Sequence, residues 1–179
     1  MTPKEKEDTD IKEYAQQVLD SKRWVNTSID LLDSIKSLEP IVRNRWDNFN
    51  NMKGDVRSLM IHKTFFFLLG LSIENLLKSR IVKYNQSSLR KEIFKNGKLP
   101  AILKGNHDLL KLAWDAKINI TSEQSVLLKR LSRAILWSGR YAFPQSYKAW
   151  SFDDYSPDDI DNMKNLFNHI YQLVTQSNK

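Results

Sequence analysis

The chain has 179 residues, 41% hydrophobic and 27% charged, a balance that suits one globular domain with a sizeable core and excludes a disordered polar chain. It contains no cysteine, which excludes disulfides, thiolate metal sites and cysteine nucleophiles and fits a reducing, cytoplasmic setting. The net charge of +7 is unevenly laid out: residues 53–148 hold 18 Lys and Arg against 6 Asp and Glu, and both flanks are mildly acidic. A basic middle of this kind suits a polyanion, nucleic acid above all, and suits solvated Lys-rich helix faces equally well.

Only five Gly and five Pro are present, no stretch alternates apolar and polar residues for long, and helical spacing is widespread. Residues 1–9 are polar, with no apolar run of the kind a signal peptide needs, and are expected to be disordered. After Thr9 or Asp10 as N-cap, Ile11, Tyr14, Val18, Val25, Ile29, Leu32 and Ile35 predict one helix, and Pro40 either ends it or starts the next. The Asn-rich stretch 48–51 and Gly54 predict a stop. A long helix follows from about Asp55 to Tyr84, apolar over so much of its circumference that it must be central. Its run Phe65 to Leu71 is too short to span a bilayer, so no membrane segment is expected.

Residues 87–98 predict a shorter amphipathic helix, followed by a loop with Gly97, Pro100 and Gly105. A short helix is expected from Asn106 as N-cap through Trp114. Another runs from Thr121 through Trp137, with Thr121 and Gln124 spaced as a capping box. Residues 139–157 show no period and are rich in aromatics, which predicts a long aromatic loop. Ser156-Pro157-Asp158-Asp159 then opens the last helix, with an N-cap, Pro in the first turn and acidic residues at the positive dipole end. The expected fold is all-α: one domain over residues 1–179, an up-and-down bundle of four to five main helices with short extra ones.

Four places carry candidate chemistry. Glu74 and Lys78 stand four apart on the central helix, where charges must find a partner or a cleft; structural pairing is the simplest reading. His107, beside Asp108 at a helix start, reads as a proton-transfer group, a phosphate contact or a histidine that fixes the loop. Arg140, in Ser138-Gly139-Arg140-Tyr141, has the planar fork that suits phosphate or carboxylate, and also suits stacking on the neighbouring aromatics. The three histidines (His62, His107 and His169) lack metal-ligand spacing, so no metal and no cofactor are expected, and His169 reads as a structural histidine.

Glu-x-x-x-Lys in an apolar helix (Glu74, Lys78), then His-Asp-Leu (His107 to Leu109), then Gly-Arg-Tyr-x-x-Pro (Gly139 to Pro144) resemble, in that order, uncharacterised bacterial members of the HEPN superfamily. The resemblance covers residues 55–145. It implies a helical bundle, often homodimeric, in a family that includes metal-independent RNases of toxin–antitoxin and phage-defence systems beside nucleotide-binding and inactive members. The family's RNase motif is an Arg, a polar residue and a His a few positions on. Arg57-Ser58-Leu59-Met60-Ile61-His62 fits that spacing, but it departs from the family in its Ser58 and in preceding the Glu74–Lys78 helix. On one helix Arg57 and His62 diverge by about 140°.

The resemblance therefore implies a domain that binds RNA or a nucleotide, with an RNase activity resting on His107, Arg140, Arg57 and His62. Glu74, Lys78, Asp108, Arg133 and Tyr141 are the candidate substrate contacts, and a homodimer and a cognate protein partner are the implied associations. The alternative is a non-catalytic adaptor whose aromatic loop and exposed helix faces bind a protein. Lys78, Arg80, Arg130, Arg133 and Arg140 gathered around one groove would favour the first reading, and their scatter the second.

Overall fold

The computed structural model describes residues 2–51, 61–104, 107–138, 140, 156 and 158–176. The first helix, α1 (Pro3–Val18), opens on a capping box in which Thr2 Oγ1 accepts from Glu5 N–H at 3.3 Å and the Glu5 carboxylate accepts from Thr2 N–H at 2.6 Å. Helix thus begins at Pro3 with Thr2 as N-cap, ahead of the cap expected at Thr9 or Asp10. The single helix expected through residues 11–35 is also corrected, because the chain breaks at Leu19 and Asp20. Asp20 Oδ1 accepts from Lys22 N–H at 3.0 Å and caps α2 (Ser21–Asn50). The carbonyls orphaned at the break are satisfied by side chains: Trp24 Nε1 donates to Val18 O at 2.9 Å, and Gln86 Nε2 donates to Leu19 O at 2.8 Å.

Pro40 neither ends nor starts a helix; it lies inside α2, which stops at Asn50 within the Asn-rich stretch. The two helices expected over 55–84 and 87–98 follow one another within α3 (Ile61–Asn96), joined across a kink at the expected joint, Asn85 (φ −122°, ψ 22°). The expected start at Asp55 and the stop at Gly54 lie outside the described residues. Phe65, Leu69, Ile73, Leu76, Leu77 and Ile81 of α3 are all completely buried, so the helix is central as its wide apolar face requires.

The antiparallel register of α2 and α3 is set by small polar residues seven apart. Ser28 and Ser72 are buried with their hydroxyls 2.9 Å apart, and Ser72 Oγ donates to Ser28 O at 2.7 Å. One heptad along, Ser79 Oγ donates to Ser21 O at 2.9 Å. Small side chains let the backbones approach, and every hydroxyl proton has an acceptor, so the pairing adds no unsatisfied polar group.

After a 3₁₀ turn (Ala101–Leu103) come α4 (Leu109–Asp115) and α5 (Ser122–Arg133). The N-cap of α4 is Asp108 rather than Asn106: its Oδ1 accepts from Lys111 N–H at 3.0 Å. The expected capping box at α5 is present, with Thr121 Oγ1 accepting from Gln124 N–H at 3.3 Å and Gln124 Oε1 accepting from Thr121 N–H at 3.1 Å. Residues Ala134–Ser138 continue α5 as a π turn. The last helix, α6 (Asp158–Thr175), starts where expected, with Asp159 Oδ2 accepting from Ser156 N–H at 2.8 Å. The described residues form an all-α bundle packed around α3. None of their helices is long and apolar enough to cross a membrane. The Gly139 cap and the aromatic stretch 141–155 lie outside the described residues.

The π turn packs against α3 at Gly70. A Cβ on Gly70 would stand 2.8 Å from Ile135 Cγ1 and 3.2 Å from Leu131 O. Gly70→Ala gains about 1 kcal/mol of helix propensity but forces a branched side chain and a backbone carbonyl apart. The net expected result is a destabilisation of about 1–2 kcal/mol, read as a lower midpoint in urea unfolding.

An ion network fastens α2 to α6. Arg43 donates to Glu39 Oε1 at 2.8 Å and to Asp161 Oδ1 at 2.5 Å, and Lys164 Nζ donates to Glu39 Oε2 at 2.7 Å. Burial alone would raise the Glu39 pKa, but hydrogen bonds from Lys164 and Arg43, aided by their charges, outweigh it and hold the carboxyl below 4.5. A folded-state pKa below the unfolded value gives stability that is present above about pH 4.5 and lost as pH falls through the folded value. The partners are partly exposed, so the network contributes about 1 kcal/mol. Thermal unfolding is therefore expected to be more acid-sensitive in the wild type than in Glu39→Gln, with the difference confined to the acid limb.

Candidate functional site around Glu74 and His107

The apolar face of α3 is interrupted by an acid and a lysine, Glu74 and Lys78. Glu74 is 4% exposed and accepts a hydrogen bond from Lys78 Nζ through Oε1, the i,i+4 pairing that the sequence predicts. Lys78 is buried as well, and its ammonium lies 5.7 Å from the centre of the Trp24 ring on α2. The other Glu74 oxygen, Oε2, stands 2.9 Å from His107 Nδ1. His107 comes from the loop before α4, 33 residues away, and its side chain is 26% exposed. Glu74 therefore bridges an interior cation and an imidazole that reaches the surface.

The carboxylate has acceptors only, so the geometry assigns the Nδ1 proton to the shared hydrogen bond. In the neutral ring this leaves the Nε2 lone pair as an acceptor; in the imidazolium Nε2 is a donor. A buried carboxylate that fixes the tautomer and orientation of a part-exposed histidine is an arrangement suited to proton transfer. The loop carrying His107 is anchored through α4: Leu109 N–H donates to the buried Ser132 Oγ at 2.9 Å, and Ser132 Oγ donates to Leu128 O at 2.8 Å.

The other candidates fall elsewhere. His62 is 1% exposed, with its ring edge-on to Trp46 at 5.2 Å and tilted against Phe66 at 6.2 Å. Twelve residues of helix separate it from Glu74, about 18 Å along α3, so His62 and His107 do not converge on one phosphate within a protomer. Arg57 and Tyr141 lie outside the described residues. Arg140 is exposed, two residues past the π turn. Asp108 is the α4 cap and shares a cleft of about 520 Å³ with Arg133, which stands on α5. Among the described residues, no group of three or more His, Cys, Asp or Glu is placed to hold a metal ion.

The basic residues divide. Lys78 is paired with Glu74. Arg80 donates through Nε to Ala116 O at 2.9 Å and through Nη1 to Leu173 O, so it ties α3 to the α4–α5 loop and to α6. Arg130 makes a two-pronged contact with Asp159, 2.7 Å on each side. These three hold the bundle together at separate contacts, and Arg133 alone of the five lines the Asp108 cleft.

Sequence reasoning missed three contributors: Trp24 beside Lys78, Ser132 under the α4 N-terminus, and Trp114, which lines the same cleft as Asp108 and Arg133. Trp24 and Ser132 have no pattern that marks them in one chain. Trp114 did carry a signal, since a large aromatic four residues from Leu110 at the end of a short helix is either core or surface feature. Comparison with protein-family models, with curated proteins and with solved structures found no match to this chain.

Proposed function

We propose that the protein is an HEPN-like helical domain that binds RNA or a nucleotide and cleaves RNA without a metal, with His107 as the proton-transfer group. The observation that carries this reading is the 2.9 Å contact between the buried Glu74 carboxylate and the part-exposed His107 imidazole. The ordered motifs around Glu74, His107 and Arg140 and the basic middle of the chain support the same reading. In the reaction, His107 Nε2 removes the ribose 2′-hydroxyl proton as the 2′-oxygen bonds to the adjacent phosphorus. The bond from phosphorus to the 5′-oxygen breaks, that oxygen takes a proton, and a 2′,3′-cyclic phosphate is left. An arginine at the phosphate stabilises the developing charge, and Arg140 and Arg133 are the candidates. A homodimer, as the resemblance implies, would place two such histidines in one assembly.

A second reading, a non-catalytic adaptor in a cytoplasmic complex with a protein partner, is favoured by a different observation. Trp114, Val126 and Leu136 are large apolar side chains left exposed on α4 and α5, and three of the five singled-out cations are occupied inside the bundle. Salt dependence separates the two. Binding to single-stranded RNA, measured by fluorescence anisotropy, should weaken steeply between low and physiological salt if phosphates are contacted. Absence of RNA binding even at low salt, with capture of a protein ligand insensitive to salt, sinks the first reading in favour of the second.

A further inference from the structure

The cleft that begins at Asp108, next to His107, has a lining that, Arg133 apart, the proposed cleavage chemistry does not use. On α5, Lys129, Arg133 and Leu136 follow at four- and three-residue spacing and so form one outward stripe. On α4, Leu110 and Trp114 stand four apart and face that stripe across the cleft. Trp114 is 65% exposed and lines the cleft, which leaves the side chain accessible to a ligand. An exposed indole beside two long cations is costly for solubility and contributes little to the core, whose α4 members are Leu109, Leu112 and Ala113.

We infer that this cleft is a base-stacking site for one unpaired nucleotide, with Trp114 as the stacking platform and Lys129 and Arg133 as contacts to its phosphates. The inference rests on the RNA-binding reading above and adds to it where a base next to the reacting phosphate is held. Every nucleobase has a π face, so an indole platform binds without regard to sequence, and duplex RNA, whose bases are already stacked, is excluded. Charge complementarity selects this ligand over an apolar peptide: among the described residues the lining holds two cations, Lys129 and Arg133, against one acid, Asp108, which caps α4 by accepting from Lys111 N–H. The cleft, at about 520 Å³, is of a size for one nucleotide.

The test uses the full chain and a fluorescein-labelled 2′-O-methyl oligouridylate, which lacks the attacking hydroxyl, so binding is read without cleavage. An abasic strand of the same length and charge is the comparison. Trp114→Ala is expected to weaken binding of the base-bearing strand about tenfold and to leave the abasic strand unchanged, and Trp114→Phe should restore most of the loss. Lys129→Gln should weaken both strands alike and lower the salt slope by about one. Equal affinity of Trp114→Ala and wild type for the base-bearing strand, or an equal loss on both strands, overturns the stacking site while RNA binding stands. A change in sedimentation from dimer to monomer in Trp114→Ala, with RNA affinity intact, makes the cleft a protein interface and overturns it as well. If the wild type binds neither strand, the RNA-binding reading fails, and this inference fails with it.

Discussion

Glu74→Ala is expected to destabilise the fold by about 3–5 kcal/mol, a fall of roughly 10 °C in the thermal midpoint. The loss does not measure the worth of the Glu74–Lys78 pair. It is the penalty of leaving the Lys78 ammonium, 7% exposed, in the interior without its counter-charge. Replacing both charges, in Glu74→Met with Lys78→Met, removes that penalty and is expected to restore stability to within about 1 kcal/mol of the wild type, or beyond it. The stable double variant then separates architecture from function. With its acceptor gone, His107 Nδ1 is no longer held, so RNA cleavage by the double variant should fall by roughly the 10²–10⁴-fold that a positioned proton-transfer group supplies. If the double variant is stable and cleaves as the wild type does, Glu74 has no part in positioning His107.

Asp159→Ala carries the second large effect, again about 3–5 kcal/mol and read in the same unfolding experiment. Asp159 is 5% exposed and holds three donors: two guanidinium nitrogens of Arg130, at 2.7 Å each, and Ser156 N–H at 2.8 Å. Its loss leaves a half-buried guanidinium without its carboxylate and the start of α6 without one of its caps. The contrast with Asp161, two residues on, is informative. Asp161 is exposed and pairs with Arg43, which holds its carboxyl below the usual range, yet Asp161→Ala should cost less than about 1 kcal/mol because water replaces what is lost. Equal effects of the two substitutions would show that burial is not what sets the value of these ion pairs.

The helical character was legible because it is written in local terms. The Thr121 and Gln124 capping box, the Ser156–Asp159 start of α6 and the wide apolar face of α3 each depend on residues within one or two turns of one another. The break at Leu19 was not legible, since apolar residues continue through it without Gly or Pro. What ends α1 there is Asp20 as a cap, together with Trp24 and Gln86 supplying donors, and Gln86 arrives from α3. Pro40 misled for the opposite reason: a strong local signal yields when the flanking turns of α2 are held in the core by buried residues such as Ile35 and Val42.

The candidate site divides along the same line. The Glu74–Lys78 pair is a four-residue spacing and was visible; the approach of His107 to Glu74 spans 33 residues and depends on how α4 docks on α5. His62 and His107 were both candidates from the sequence, and burial tells them apart: His62 is 1% exposed, and the His107 side chain is 26% exposed. The basic residues looked alike too, until their places in the fold divided them: Arg80 and Arg130 join helices, and Arg133 lines the Asp108 cleft.

The central claim is that His107, held by Glu74, transfers the proton in metal-independent RNA cleavage. It is tested most directly by incubating the purified protein with a mixed RNA pool in excess EDTA beside folded His107→Ala, and by analysing the ends produced. Cleavage by the wild type that leaves cyclic phosphates and falls at least a hundredfold in His107→Ala is the expected result, a loss of the size assigned to general acid–base groups. Cleavage of equal rate in the two proteins, or none by a wild type that binds the RNA, would contradict it.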